Sequence, residues 1–196
     1  MGHGAGAGVE TLDLQALVAL TAHGWCLALL EQPWRVAGRR IAVAPRLLDE
    51  ATSTMLATLD READRLPRPW VLGGRSAGAR VACRLAEPAQ AQALLLIAFP
   101  LQPPPSRGGR VAPSRIHELL LPVRAGIPAL VAQGTRDRFG GPDEVVRAVA
   151  QENAGDARSS ADGPLPVVRS YPGGHGPTED GAGLVRDVLT FLDALP

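Results

Sequence analysis

The chain has 196 residues, 45% of them hydrophobic, and its 20 basic residues balance its 20 acidic residues. This length and composition are typical of one globular α/β domain spanning residues 1–196, and the zero net charge disfavours partners such as nucleic acid or an anionic membrane. Every basic residue is arginine, which excludes a lysine-dependent phosphate loop and a pyridoxal Schiff base.

The first half of the chain predicts a glycine-rich loop followed by helices and strands. The predicted elements are the loop 1–8, a helix over 11–23 ended by Gly24, a buried strand over 25–30, an arginine-dense loop over 31–45, and an amphipathic helix over 47–66. The apolar region 14–30 is interrupted by His23 and Gly24 and has no basic flank, so we predict neither a signal peptide nor a membrane span.

The second half alternates strands and helices. The predicted elements are the strand 69–73 with a small-residue helix after it, a strand over 93–99, a proline-rich loop over 100–113, a helix over 114–123 capped by Ser114, a strand over 127–133, a helix over 144–152 capped by Asp143, a polar segment over 153–163, a strand over 165–171, and a helix over 183–195. Short continuous apolar runs between helices indicate an α/β fold with a mainly parallel sheet. Ligands of such sheets bind at the carboxyl ends of the strands.

The two cysteines, Cys26 and Cys83, lie in predicted element interiors without any metal-ligand spacing. We interpret both as buried reduced thiols, which suits a cytoplasmic location. The sequence therefore predicts no metal site.

A serine stands in the turn between the strand at 69–73 and the helix after it. The five residues from Gly74 to Gly78, with Ser76 at the centre, fit the G-x-S-x-G nucleophile elbow. A serine on such a strained turn needs neighbours without bulk two positions away on each side. The alternative is an ordinary glycine-rich loop between a strand and a helix.

A serine hydroxyl needs an imidazole base, which in turn needs an orienting carboxylate. His175 follows the last predicted strand and Asp137 follows the strand before it, whereas His23 and His117 do not follow a strand. Considered alone, His175 would be interpreted as a solvated loop residue, and Asp137 as a turn former or a helix cap. In the order Ser76, Asp137, His175 they match the serine–acid–histidine order of α/β-hydrolases.

Two backbone amides are candidates for an oxyanion hole. One is the N–H of Ala77, directly after the serine, and the other is the N–H of Ala5 in the sequence His3-Gly4-Ala5-Gly6. The glycines of residues 2–6 also suggest a dinucleotide loop, but the strand before it and the acidic residue of a βαβ unit are missing.

The chain resembles the dienelactone-hydrolase-like branch of the α/β-hydrolase superfamily, which includes the testis-expressed hydrolase-like proteins and bacterial relatives. The stretches that carry the resemblance are HGAGAG (3–8), EQPWRVAGRR (31–40), GGRSAGAR (73–80), AFPLQPPP (98–105), QGTRDRFG (133–140) and GGHG (173–176). The resemblance implies an α/β-hydrolase fold, a catalytic triad of Ser76, Asp137 and His175, and no cofactor.

The chain departs from that family at two places. Gln102 and Pro105 stand where the family has a histidine and a glycine, which leaves the role of that loop open. The family also has a strand between the two here predicted at 25–30 and 69–73, so we expect the domain to be N-terminally truncated relative to the family. The 34 positions between the strands beginning at 93 and 127 leave no room for a cap domain.

The favoured hypothesis is a serine hydrolase acting on a small ester-type substrate. Arg35 and Gln102 are candidate substrate-binding residues, and Arg35, Arg39 and Arg40 would hold a carboxylate or phosphate. The arginines have a second interpretation, as solvated or carboxylate-paired residues of a loop. The alternative function is a non-catalytic, hydrolase-like binding scaffold.

Overall fold

The computed structural model describes residues 1–39, 42–62, 68–105, 108–109, 111–155, 165–176 and 179–196. The strands are β1 (Val71–Arg75), β2 (Ala93–Ile97), β3 (Ala129–Gly134) and β4 (Val167–Tyr171). The helices are α1 (Leu12–Ala16), a 3-10 helix (Leu17–His23), α2 (Pro33–Val36), α3 (Pro45–Arg61), α4 (Ala77–Leu85), α5 (Ile116–Arg124), α6 (Pro142–Gly155) and α7 (Gly181–Asp193).

The four strands form a parallel sheet in the order β1-β2-β3-β4. Strand β2 is buried along its whole length because both faces of the sheet are covered. Leu94 and Leu96 face one hydrophobic cluster, and Leu95 and Ile97 face the other. The continuous apolar run of the sequence therefore corresponds to a central strand, and the predicted α/β fold with its parallel sheet is confirmed.

Helices cover the sheet on both sides. Buried side chains of α4, α5 and α6 pack on one face, and those of α1, the 3-10 helix and α7 pack on the other. A third cluster joins α2 and α3 to α4 through Trp34, Leu48, Leu56, Val81 and Leu85. Because all four strands run the same way, the loops after β1, β3 and β4 meet at one edge of the sheet.

The prediction of a strand over residues 25–30 is wrong. Only Leu30 forms a β-bridge there, and its partner is Gly2, which also bridges Gly74 of β1 in the parallel sense. A strand needs a continuous row of hydrogen-bonded partners, whereas the bonds described here join Met1 to Ala28 and Leu30. Farther from the bridge, an apolar cleft of about 380 Å³ separates Trp25–Ala28 from β1.

Several element boundaries also differ from the prediction. The helix expected over 11–23 is α-helical only to Ala16 and continues as a 3-10 helix that ends, as predicted, at Gly24. The loop expected over 31–45 contains the short helix α2. The helix expected over 47–66 begins at Pro45, and its residues 63–66 lie outside the described part of the chain.

The prediction that Asp143 caps α6 is also wrong. Asp143 lies inside the first turn, because α6 begins at Pro142, whose fixed φ suits a first helical position. Of the polar segment expected over 153–163, the first three residues belong to α6 and residues 156–163 lie outside the described ranges.

The two cysteines differ in exposure, so one of the two predictions made for them is wrong. Cys83 is buried in α4, as expected, but Cys26 is exposed because the segment that carries it is not a strand of the sheet. No helix in the described ranges is both long and apolar enough to cross a membrane.

Candidate active site

Ser76 stands on the sharp turn between β1 and α4. Its backbone has φ 51° and ψ −108°, a conformation that costs a residue with a β-carbon of the order of 1–3 kcal/mol. The turn is held by the Ser76 N–H, which donates to the Ile97 carbonyl at 2.9 Å, and by the Arg75 N–H, which donates to the Gly2 carbonyl at 2.9 Å. The sheet therefore holds the hydroxyl at the carboxyl end of β1.

The elbow glycines make room for a third segment of the chain. A β-carbon on Gly74 would lie 2.7 Å from the Gly2 carbonyl oxygen and 2.5 Å from the Gly78 carbonyl carbon. A β-carbon on Gly78 would overlap that Gly2 carbonyl. Both glycines are thus required by close backbone approach, and the N-terminal residues lie directly against the elbow.

Three side chains from three loops form a line of hydrogen bonds. The Ser76 Oγ lies 2.8 Å from His175 Nε2, and His175 Nδ1 lies 2.8 Å from Asp137 Oδ2. An ionised carboxylate only accepts hydrogen bonds, so Nδ1 carries the proton and Nε2 is free to accept from the serine hydroxyl. This arrangement can take a proton from Ser76 and stabilise the imidazolium that results.

Asp137 is held by partners on both oxygens. The Phe139 N–H donates to Oδ1 at 2.8 Å, and Gln133 Nε2 lies 3.2 Å from Oδ2. The carboxylate is fully buried, and the imidazole of His175 is 17% exposed. The Phe139 ring covers the imidazole, with 4.3 Å between the ring centroids. The carboxylate is therefore fixed, while the imidazole keeps some access to solvent.

The loop with the sequence His3-Gly4-Ala5-Gly6 lies over the elbow. A β-carbon on Gly4 would come within 3.2 Å of the Ser76 Cβ. His3 anchors the loop from below: its ring is fully buried, its Nδ1 donates to the Gly4 carbonyl at 2.7 Å, and its Nε2 accepts from the Gln32 N–H at 2.9 Å. Ala5, the residue after Gly4, is exposed.

Ala77 is the first residue of α4, directly after the serine. The N–H groups of a first helical turn have no partner inside the helix, and the helix dipole makes them favourable for negative charge. The structure thus places the N–H of Ala77 next to Ser76, and Gly4, which precedes Ala5, lies against the same turn.

The two candidate substrate-binding residues have partners within the protein. Arg35 pairs with Glu10 at 3.2 Å, and the Gln102 amide donates to the Ala112 carbonyl at 2.5 Å. These contacts favour the interpretation of Arg35 as a carboxylate-paired residue. Arg39 is exposed, and Arg40 lies outside the described residues.

Sequence reasoning missed four side chains around this site: Asp13, Arg75, Gln133 and Phe139. A glutamine at the end of an otherwise apolar strand and an arginine just before the serine were visible signals, because buried polar side chains require partners. Asp13 carried no signal, because its role depends on a contact 62 residues away in the chain.

Within the described ranges, no group of three His, Cys, Asp or Glu side chains lies close enough to hold a metal ion.

The chain was compared with models of known protein families and with curated proteins. A family model described as an alpha/beta hydrolase domain matches residues 1–163 of the chain. No curated protein matches the chain.

Solved structures with the same fold cover nearly the whole chain. The pyrethroid hydrolase PytH is 19% identical with a TM-score of 0.61, over 98% of this chain and 96% of that one. A Xanthomonas campestris protein described as an alpha/beta serine hydrolase without lid is 16% identical with a TM-score of 0.58, over 100% and 83%. A thioesterase domain from the curacin biosynthetic pathway is 17% identical with a TM-score of 0.58, over 96% and 88%. At these identities the likeness shows the fold.

Proposed function

This chain belongs to the alpha/beta hydrolase family, and from that premise we propose that it is a serine hydrolase that cleaves small esters or related acyl compounds. The observation that carries the proposal is the line of hydrogen bonds from Ser76 through His175 to Asp137, with both distances at 2.8 Å. Side chains from three separate loops would not be expected to align this way without a shared task.

In the proposed mechanism Ser76 attacks the carbonyl carbon of the substrate. As the new C–O bond forms, His175 Nε2 takes the proton of the hydroxyl, and Asp137 stabilises the imidazolium from the Nδ1 side. The carbonyl oxygen becomes an oxyanion that the N–H groups of Ala77 and Ala5 stabilise. The tetrahedral intermediate then expels the alcohol, which receives the proton from His175, and an acyl-serine remains.

Water completes the cycle by the same steps. His175 takes a proton from a water molecule as its oxygen attacks the acyl-serine carbonyl, and the second tetrahedral intermediate releases the acid and returns the proton to Ser76. The described residues around the imidazole leave it partly exposed, so water has access to the acyl-serine. The family resemblance and this geometry together support ester-type substrates.

The test is labelling of the purified protein with a fluorophosphonate probe, followed by hydrolysis of p-nitrophenyl acetate. We expect the wild type to be labelled and to release p-nitrophenol, and the Ser76→Ala variant to do neither. Ser114→Ala is the matched control, because the Ser114 hydroxyl accepts a hydrogen bond from the Ile116 N–H and is not part of the line from Ser76 to Asp137. Labelling that persists in Ser76→Ala would mean that another residue reacts.

The alternative is a hydrolase-like scaffold that binds a ligand or partner without turnover. A well-folded wild type that neither reacts with the probe nor cleaves the ester would overturn the enzyme proposal in favour of this one. The aligned Ser76, His175 and Asp137 favour the enzyme, since a scaffold does not need a base within hydrogen-bond distance of a serine.

A further inference from the structure

The side chain of Arg75 connects Asp13 to the loop that carries His175. Its Nε donates to Asp13 Oδ2 at 3.0 Å, and its Nη2 donates to the backbone carbonyl of His175. Arg75 is 6% exposed and Asp13 is fully buried. The residue just before the nucleophile therefore holds the main chain of the histidine.

The loop that carries His175 is also held by the loop that follows β3. The Arg136 N–H donates to the Gly173 carbonyl at 2.8 Å, and the imidazole is held by Asp137. The carbonyl of His175 itself is held by Arg75 across 100 positions of the chain. Without that hydrogen bond, the main chain of His175 would lose its direct contact with Arg75, and the loop would be held by the Gly173 carbonyl and by the contacts of the imidazole.

Asp13 makes this arrangement possible. A guanidinium buried without a counter-ion is strongly unfavourable, and next to the site it would also oppose the imidazolium that forms during the reaction. The carboxylate of Asp13 neutralises Arg75, and its other oxygen accepts from the Leu14 N–H at 2.9 Å in α1. The pair therefore fixes the guanidinium and cancels its charge.

Stability alone does not account for such a pair. Replacing both members of a buried ion pair by apolar residues of similar volume is often neutral or stabilising, because the desolvation of two charges is costly. The hydrogen bond to the His175 carbonyl is what an apolar pair would lose. We propose that Arg75, held by Asp13, is a positioning residue that sets the distance between the His175 imidazole and Ser76. This inference rests on the proposed hydrolase function.

The test compares Arg75→Met with the double variant Arg75→Met/Asp13→Leu by thermal unfolding and by steady-state hydrolysis of p-nitrophenyl acetate. We expect Arg75→Met to lose both thermal stability and activity. The double variant should recover most of the stability, but its kcat should stay about 10- to 100-fold below wild type, because misplacement of a base by about 1 Å costs up to 100-fold. KM should change less than about twofold, since a guanidinium on a residue that is only 6% exposed offers little surface to a substrate.

Two further variants complete the experiment. Arg75→Lys keeps the charge opposite Asp13 but lacks the fork that reaches both acceptors, so we expect near-normal stability with kcat reduced about tenfold or more. The control is Arg84→Met/Asp49→Leu, which removes an ion pair with bonds of 2.7 and 2.8 Å between α4 and α3 and a 3.3 Å contact of Arg84 with Glu118. None of these residues contacts Ser76, His175 or Asp137 in the described hydrogen bonds, so kcat should be unchanged.

The outcomes separate this inference from the proposed function. An inactive, unlabelled wild type would refute the hydrolase proposal. An active wild type with wild-type kcat in Arg75→Lys, or in the stable double variant, would overturn the positioning role and leave the hydrolase proposal intact.

Discussion

The carbonyl oxygen of Gly2 lies against Gly78 so closely that a β-carbon on Gly78 would overlap it. The same Gly2 carbonyl accepts a hydrogen bond from the Arg75 N–H at 2.9 Å, and the Gly2 N–H donates to the Gly73 carbonyl at 3.0 Å. Gly2 therefore packs into the turn that carries Ser76.

Gly78→Ala should separate the N-terminal residues from the elbow. We expect a loss of about 1–3 kcal/mol in the free energy of unfolding, the usual cost of overpacking, and a large loss of fluorophosphonate labelling. Urea unfolding and labelling rates measure the two effects. Gly155→Ala is the matched control, because a β-carbon there has nothing within 4 Å, and wild-type labelling in Gly78→Ala would contradict the packing argument.

Asp137→Asn should reverse the tautomer of His175. The Phe139 N–H binds Oδ1, so the asparagine oxygen would take that position and its NH₂ would face Nδ1. The imidazole proton would then move to Nε2, which could no longer accept from Ser76. We expect kcat/KM for p-nitrophenyl acetate to fall about 10³- to 10⁴-fold.

The control for this substitution is Asp143→Asn. Asp143 is exposed in the first turn of α6, so its replacement should leave kcat/KM unchanged. A loss of less than tenfold in Asp137→Asn would show that the carboxylate does not orient the imidazole.

The lowered pKa of Glu118 predicts that the stability of the protein depends on pH. Burial alone would raise its pKa, but the hydrogen bonds from Arg80, at 2.6 and 2.7 Å, and the charges of Arg80, Arg84 and Arg115 outweigh burial and hold the pKa below its usual range. A carboxyl whose pKa is lower in the folded state stabilises the protein above its unfolded pKa of about 4.3, and loses that effect as the pH falls through the folded value.

Glu118→Gln should therefore lower the free energy of unfolding by about 1–3 kcal/mol at pH 7 and by progressively less below about pH 4. Urea unfolding of both proteins between pH 3 and pH 8 measures the difference. Glu50→Gln, which removes an exposed pair with Arg46 at 3.5 Å, should have almost no effect at any pH. A Glu118→Gln difference that stays constant down to pH 3 would rule out this carboxylate as the source.

The two thiols should react very differently. Cys26 is exposed, whereas Cys83 is buried and burial raises the pKa of its thiol, so little thiolate is present at neutral pH. Titration with a chromogenic disulfide reagent should find one reactive thiol per chain in the native protein and both in denaturant. Native Cys26→Ser should show none, and a fast-reacting thiol in that variant would mean that Cys83 is accessible.

Much of the fold was predictable because buried parallel strands have a simple signature. The apolar run 93–99 contains β2, and the runs 127–133 and 165–171 match β3 and β4 to within two residues at either end. The run 25–30 has the same signature but forms only one bridge at Leu30. Hydrophobicity reports burial, whereas a strand also requires hydrogen-bonded neighbours on the sheet.

The sequence by itself determined the fold class, the elbow around Ser76 and the loops that carry Asp137 and His175, because these follow from local patterns and from the order of parallel strands. Only the tertiary structure decided which buried polar side chains support them. The contacts of Arg75 with Asp13 and with His175 join residues 62 and 100 positions apart, and no local pattern encodes such a distance. Side-chain hydrogen bonds of this kind depend on how helices and loops pack in three dimensions, which periodicity along the chain does not specify.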